Sequence, residues 1–216
     1  MPMKATLFLV FACIIAYPFG LQMPGLLSYS YNNLVVRHEY WTLITALFMH
    51  GSLMHLLGNM LFLLLLGSSL ERTIGSDKFL CAFFTGGALS LLAGYFFYGH
   101  DELIVGASGS ICTIIGLLMI YNPWKISFLL NFFPMPMGVA ALTYMLVNFY
   151  MAYQSHYRPE AGGMHTAYEL HIMGFVVGIL LGRLWNPDWK KNLLISIISF
   201  VAFYIILGLV VYYFRN

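Results

Sequence analysis

Four side chains in this sequence carry the means for acyl-transfer chemistry. Ser108 stands in a Gly-x-Ser-Gly string formed with Gly106 and Gly109. His171 is followed by Gly174, Gly178 and Gly182 at intervals of four. His55 and Asn59 are also four residues apart, which places them on one face if that stretch is helical. A serine hydroxyl is a weak nucleophile at neutral pH until a neighbouring base takes its proton, and imidazole is the usual base. His55 and Asn59 can donate hydrogen bonds to a developing oxyanion, and the backbone N–H of Ser108 is a further donor if the serine opens a helix.

These residues must be positioned by elements of unusual composition. Of 216 residues, 61% are hydrophobic and 8% charged, against roughly 25% charged in soluble globular domains. Six stretches, 5–36, 51–70, 79–99, 103–124, 126–155 and 192–214, contain no Asp, Glu, Lys or Arg. Each can hold a membrane span of about 20 residues, and their continuous apolarity suits helices rather than barrel strands. The expected fold is therefore an all-α, multi-pass membrane protein. Spans are expected at about 5–18, 53–70, 79–98, 108–121, 137–153, 167–184 and 193–213, seven in all. The first is read as a span and not a signal peptide, because no small-x-small cleavage site follows it. Residues 19–49 should form an interfacial loop region with Tyr29, Tyr31, Tyr40 and Trp41 in the headgroup layer, and 124–136 a second interfacial connection. No repeat or linker divides the chain, so 1–216 reads as one domain.

Charge orients this arrangement. With a cytoplasmic N-terminus, Lys4, Arg72, Lys78, Lys125, Arg183, Lys190 and Lys191 lie inside, and Arg37, Arg158 and Arg215 outside. The loops 19–49, 99–107 and 154–166 are then external, on the side where Ser108 and His171 begin their spans. The net charge of +2 without a basic cluster gives no reason to expect nucleic acid. Cys13, Cys81 and Cys112 lie in apolar runs without a CxxC pair, so neither a disulfide framework nor a metal site is expected.

Packing periodicity suggests which spans meet. Ser108, Cys112 and Gly116 make a stripe of small side chains in span four, and Gly174, Gly178 and Gly182 make another in span six. Two such stripes let helix backbones approach closely. Pairing them would set hydroxyl beside imidazole at the external end. A carboxylate third member is not evident, since Glu169 is two residues from His171 and faces elsewhere on a helix. A Ser-His dyad is the reading. Taken singly, each feature has a plainer one: an intramembrane serine or Gly-x-x-x-Gly row usually serves packing, and His55 with Asn59 could be a structural pair. Their coincidence on one side of the membrane favours chemistry.

Together the strings His50-Gly-Ser-Leu-Met-His55-Leu-Leu-Gly-Asn59, Glu71 with Gly75-Ser76, Gly106-Ala-Ser108-Gly109 and His171-Ile-Met-Gly174 with Gly178 resemble the rhomboid intramembrane serine proteases, in that family's order from about Trp41 to Gly182. The resemblance implies a six-helix core, here 5–184, with 193–213 as an extra C-terminal helix. It implies Ser108 as nucleophile, His171 as general base, His55 and Asn59 in the oxyanion hole, and Gly106, Gly109, Gly174 and Gly178 as structural residues around the site. Glu71 would tie the cytoplasmic end of span two, and Ser76 would help start span three. Two departures stand out: Thr42 follows Trp41 where the family has arginine, and Cys112 occupies the position of an aromatic that packs on the catalytic histidine.

The expected activity is endoproteolysis of transmembrane protein substrates near the external face of a bacterial inner membrane, with no cofactor and no metal. The alternative is a non-catalytic rhomboid-like protein that binds or escorts membrane proteins, although such relatives typically lack the serine or the histidine. Bis-histidine haem ligation would need histidines at two depths, whereas His50, His55, His100, His165 and His171 all gather externally. The absence of His-Glu-x-x-His and of any Asp within a span disfavours zinc and aspartyl proteolysis.

Overall fold

The computed structural model describes residues 3–128, 134–157 and 167–215. Seven long helices dominate them: α1 (Lys4–Gln22), α2 (Leu53–Ile74), α3 (Ser76–Ala93), α4 (Ser108–Tyr121), α5 (Met137–Tyr157), α6 (Tyr168–Trp185) and α7 (Trp189–Arg215). In this all-α fold, α1, α2, α6, α7 and α3 with its continuation to Phe96 are each long and apolar enough to cross a membrane, while α4 is a shorter apolar helix. The chain is a multi-pass membrane protein.

The elements follow the expected runs, with differences at their ends. α1 continues through Pro18 to Gln22 instead of stopping at the proline. In a medium without water, losing one backbone hydrogen bond costs less than ending the helix and leaving several groups unpaired. α2 runs on to Ile74 and includes a wide π turn at Leu63–Gly67. α7 starts at Trp189, a turn earlier than its first apolar residues suggested. Residues 19–49 are not a plain loop but contain short helical segments at Pro24–Leu27, Asn32–Val36 and Thr42–Thr45. In the connection before α5, Ile126–Ser127 pairs antiparallel with Met135–Pro136. The loop expected at 154–166 begins later, since α5 extends to Tyr157; Arg158, His165 and the rest of that segment lie outside the described residues.

α4 is the hub. From Gly109 to Ile120 every side chain is buried, whereas only Ser196 of α7 is. α4 meets α6 at backbone distance: a β-carbon on Gly116 would lie 2.6 Å from the carbonyl oxygen of Phe175, and one on Gly178 would overlap that of Thr113. The contact thus runs along Gly109, Thr113 and Gly116, turned one residue from the expected Ser108, Cys112, Gly116 stripe. Gly116 is common to both. Thr113 Oγ1 also donates to the Gly174 carbonyl at 2.8 Å, an interhelical hydrogen bond that suits the lipid interior.

At the end of the bundle away from Ser108, a single carboxylate joins three helices. Glu71 is buried and accepts from the Ala5 N–H (3.0 Å), the Thr6 N–H (2.9 Å), the Thr6 hydroxyl (2.7 Å) and the Ser76 hydroxyl (2.7 Å). It satisfies the otherwise unpaired donors that begin α1. Ser76 contributes to the start of α3 through this bond and not as an N-cap, because Gly75 occupies the cap position. Several cations gather at the same end. Lys125 donates to Ser69 at 2.7 Å, Lys78 lies over the Trp185 ring and Arg183 over that of Trp189.

Candidate active site

Ser108 is the first residue of α4, so its N–H has no partner within the helix. The preceding turn is held from outside. Gly106 takes φ +121°, a conformation that side-chain-bearing residues rarely adopt, and its N–H donates to the Ala46 carbonyl at 2.9 Å. A β-carbon there would lie 2.8 Å from the His55 ring, so only glycine lets the turn pass. Two residues earlier, Ile104 exchanges backbone hydrogen bonds with Tyr29 at 3.1 and 2.7 Å. Asn32 adds bonds to the His100 carbonyl and the Asp101 carboxylate. The 19–49 region therefore braces the serine turn.

Thr42 stands where the resembled family has arginine, and it is fully buried with its hydroxyl donating to the Glu39 carbonyl at 2.7 Å. Trp41 Nε1 donates to the Leu26 carbonyl and Thr45 Oγ1 to that of Leu27. Neutral side-chain-to-backbone bonds thus fasten this segment.

Ser108, His171, His55 and Asn59 all line one cavity of about 450 Å³, together with Tyr98, Glu102, Gly106, Gly109 and Tyr144. His55 and Asn59 project from α2, whose first turn is capped by Ser52 accepting from the His55 N–H at 3.1 Å. Asn59 is buried, and its side-chain Nδ2 has no hydrogen-bond partner. A buried donor without an acceptor is costly, so a group able to accept there would be bound favourably. Gly109 is crowded by Ser90 of α3, and Gly174 by the Gly109 carbonyl. Gly174 and Gly178 thereby let α6 carry His171 against α4.

Outside the spans, His50 packs edge-on against His55 with ring centroids 5.0 Å apart. Burial and the neighbouring His55 push its pKa down to about 4, although the Phe48 carbonyl favours the charged form. Tyr98 donates to the Glu169 carboxylate, tying the loop before α4 to the first turn of α6. Burial and then that carboxylate raise the Tyr98 pKa. Glu169 is thus engaged away from His171. Among the described residues no group of three or more His, Cys, Asp or Glu is placed to hold a metal ion.

Cys112 is buried one turn below Ser108, and its thiol interacts with the Tyr144 hydroxyl of α5. The sequence marks α5 as a span but singles out none of its side chains for the site. This helix carries Tyr144 on the cavity wall and Asn148, whose Oδ1 lies 2.7 Å from His171 Nδ1. The signal was present: Asn148 is a polar residue in mid-span, the feature that singled out Asn59.

Comparison with known proteins agrees with this architecture. The Rhomboid domain model matches residues 37–187, well over half of the chain. YdcA of Bacillus subtilis (strain 168) is 34% identical over 90 residues, 42% of this chain and 45% of that protein. The rhomboid protease GluP of the same organism is 33% identical over 88 residues, 41% of this chain but only 17% of GluP. The rhomboid protease GlpG of Haemophilus influenzae is 26% identical over 199 residues, 88% of this chain and 94% of GlpG. The chain thus spans under half the length of the first two and nearly all of the third. It belongs to the rhomboid family.

Proposed function

We propose that this chain is an intramembrane serine endopeptidase acting on transmembrane protein substrates. The observation that carries the reading is the convergence of Ser108, His171 and the unpaired Asn59 Nδ2 on one cavity. Two relatives named as rhomboid proteases support it at the level of the family. Ser108 Oγ attacks the carbonyl carbon of the scissile peptide bond as its proton passes to His171. The carbonyl oxygen becomes an oxyanion that accepts hydrogen bonds from Asn59, His55 and the Ser108 N–H. Collapse expels the amine, which takes the proton back from His171, and water then releases the acyl group by the same steps in reverse.

The reading includes the setting of the site. All seven helices are taken to cross, with the N-terminus cytoplasmic, in one domain whose core is 5–184 and whose added helix is 193–213. α4 has 14 residues and rises roughly 20 Å, against about 30 Å of hydrocarbon. Ser108 therefore lies below the external surface, and the cavity admits water from that side. A substrate helix must unwind to present a carbonyl, which favours small or helix-breaking residues at the cleavage point.

The test is labelling of the detergent-purified full chain with a fluorophosphonate probe. Ser108 should be modified, and Ser108→Ala or His171→Ala should abolish the reaction. Labelling that persists in Ser108→Ala would overturn the assignment.

A further inference from the structure

We propose that Asn148 of α5 is a positioning residue for His171, setting which ring nitrogen carries the proton and so presenting the other to Ser108. The inference rests on the dyad reading and extends it to a side chain on a helix that the catalytic motifs leave out.

The geometry determines the proton by elimination. Asn148 is buried, and its amide has two different neighbours. One is the backbone carbonyl of Tyr144, 2.8 Å from Nδ2. A carbonyl can only accept, so the amide end facing it must be the NH₂. That turns Oδ1, which can only accept, toward His171 Nδ1 at 2.7 Å. A neutral imidazole meeting an acceptor there must carry its hydrogen on Nδ1, which leaves Nε2 with a free lone pair. Nε2 is the nitrogen then available to take the Ser108 proton. When it does, the ring becomes a cation whose Nδ1–H still donates to Oδ1, so the bond is kept and strengthened through the proton transfer.

The amide is itself held in place. Tyr144 lies one turn before Asn148 on α5, and its hydroxyl interacts with Cys112 and with the Asn148 amide. A chain of neighbours from Cys112 through Tyr144 and Asn148 thus leads from α4 to the imidazole on α6. The ring is further bounded by Tyr168, edge-on at 6.1 Å between centroids. The titratable groups bearing on it are His55 from α2, Tyr144 from α5, Cys112 from α4 through Tyr144, and Tyr168 and Glu169 on its own helix. Glu169 is bonded to Tyr98. The uncharged Asn148 is the group that touches Nδ1.

Two variants of the full chain test the proposal. Asn148→Leu removes the acceptor at similar volume, and Asn148→Asp keeps it and adds a charge. With Asn148→Leu, fluorophosphonate labelling of Ser108 should slow about 10- to 100-fold, as loss of a residue that orients a functional imidazole does elsewhere. With Asn148→Asp, the acid limb of the labelling rate against pH should move upward by about 1 unit or more, because a carboxylate against the ring favours its charged form. A structural role alone would change the amount of folded protein and leave that limb in place. Superimposable pH profiles for Asn148→Asp and the parent, or parental labelling rates in Asn148→Leu, would overturn the proposal while leaving the dyad standing. Should the parent show no labelling at Ser108, the dyad reading fails. Nitrogen-15 NMR of His171 still decides the inference in that case: an Nδ1–H tautomer in the parent supports it and an Nε2–H tautomer overturns it. The same measurement serves if Asn148→Leu does not fold.

Discussion

Gly174 of α6 sits so close to Gly109 of α4 that a β-carbon on Gly174 would overlap the Gly109 carbonyl oxygen. The two residues that flank the proposed dyad in sequence, one beyond Ser108 and three beyond His171, are therefore among those whose backbones touch. Gly174→Ala should force the helices apart, costing about 1–3 kcal/mol as overpacking does and slowing Ser108 labelling. Gly208→Ala on α7, where nothing lies within 4 Å, is the control and should leave the thermal midpoint unchanged or slightly raised. Equal midpoints for the two variants would contradict the close-packing account.

For the proposed oxyanion donors, Asn59→Ala and His55→Ala should each lower turnover by about 10- to 1000-fold with the protein still folded. Asn59 is the more informative of the two, because its Nδ2 has no other bond to lose. Cleavage of a reporter transmembrane substrate in proteoliposomes measures the effect. Undiminished turnover in the double variant would assign the work to backbone N–H groups alone.

Cys112→Ala should retain most activity, since the polar partner of the thiol is Tyr144. Cys112→Tyr places a second phenol against the first and should be poorly tolerated, and Tyr144→Ala in the same chain should restore part of the loss by making room. Labelling rates across the three variants check this. If Cys112→Ala is as inactive as Ser108→Ala while folded, the thiol itself takes part in the reaction.

His50 makes one contribution to the pH dependence of stability. Above its unfolded pKa of about 6.5 the residue is neutral in both states. As the pH falls from there to about 4, the unfolded chain takes up a proton that buried His50 refuses. The His50 contribution to stability therefore declines across that window, by about 3 kcal/mol, and is fully lost below it. His50→Phe should flatten this part of the curve, read as the thermal midpoint in detergent from pH 7 to 4. An unchanged slope would show that other groups carry it.

Sidedness can be tested by single cysteines at Asp101 and Lys125 with a membrane-impermeant reagent. The two should label from opposite faces, with Asp101 external. Labelling of both from one face would refute the topology built on Lys4, Arg72, Lys78 and Lys125.

How much of this was legible in the sequence depends on the range of the interactions concerned. The long helices showed as uncharged runs, and Ser108, His171, His55 and Asn59 showed as polar residues that lipid penalises. The helical face of α4 did not show. Cys112 and Thr113 are both small, so the choice of Thr113 against α6 rests on a hydrogen bond to the Gly174 carbonyl that spacing cannot reveal. The short helices within 19–49 were hidden because each is about a single turn held by partners outside it, such as His100 and Asp101 for Asn32, and Trp41 and Thr45 for Leu26 and Leu27. Asn148 was passed over for a different reason. Its significance depends on which helix α5 faces, and no motif on α5 records that.

Glu71 also bears on how the protein is assembled in the membrane. Its partners belong to the helix before and the helix after its own, so its charge is stabilised by hydrogen bonds only when α1 and α3 both begin on the side where α2 ends. A chain whose first helix had entered the bilayer the wrong way round would bring Gln22, not Ala5 and Thr6, to that depth. The carboxylate would then be buried without donors, at a cost of several kcal/mol. One side chain, remote from the cavity, thus penalises any arrangement in which α1 runs the wrong way relative to α2 and α3.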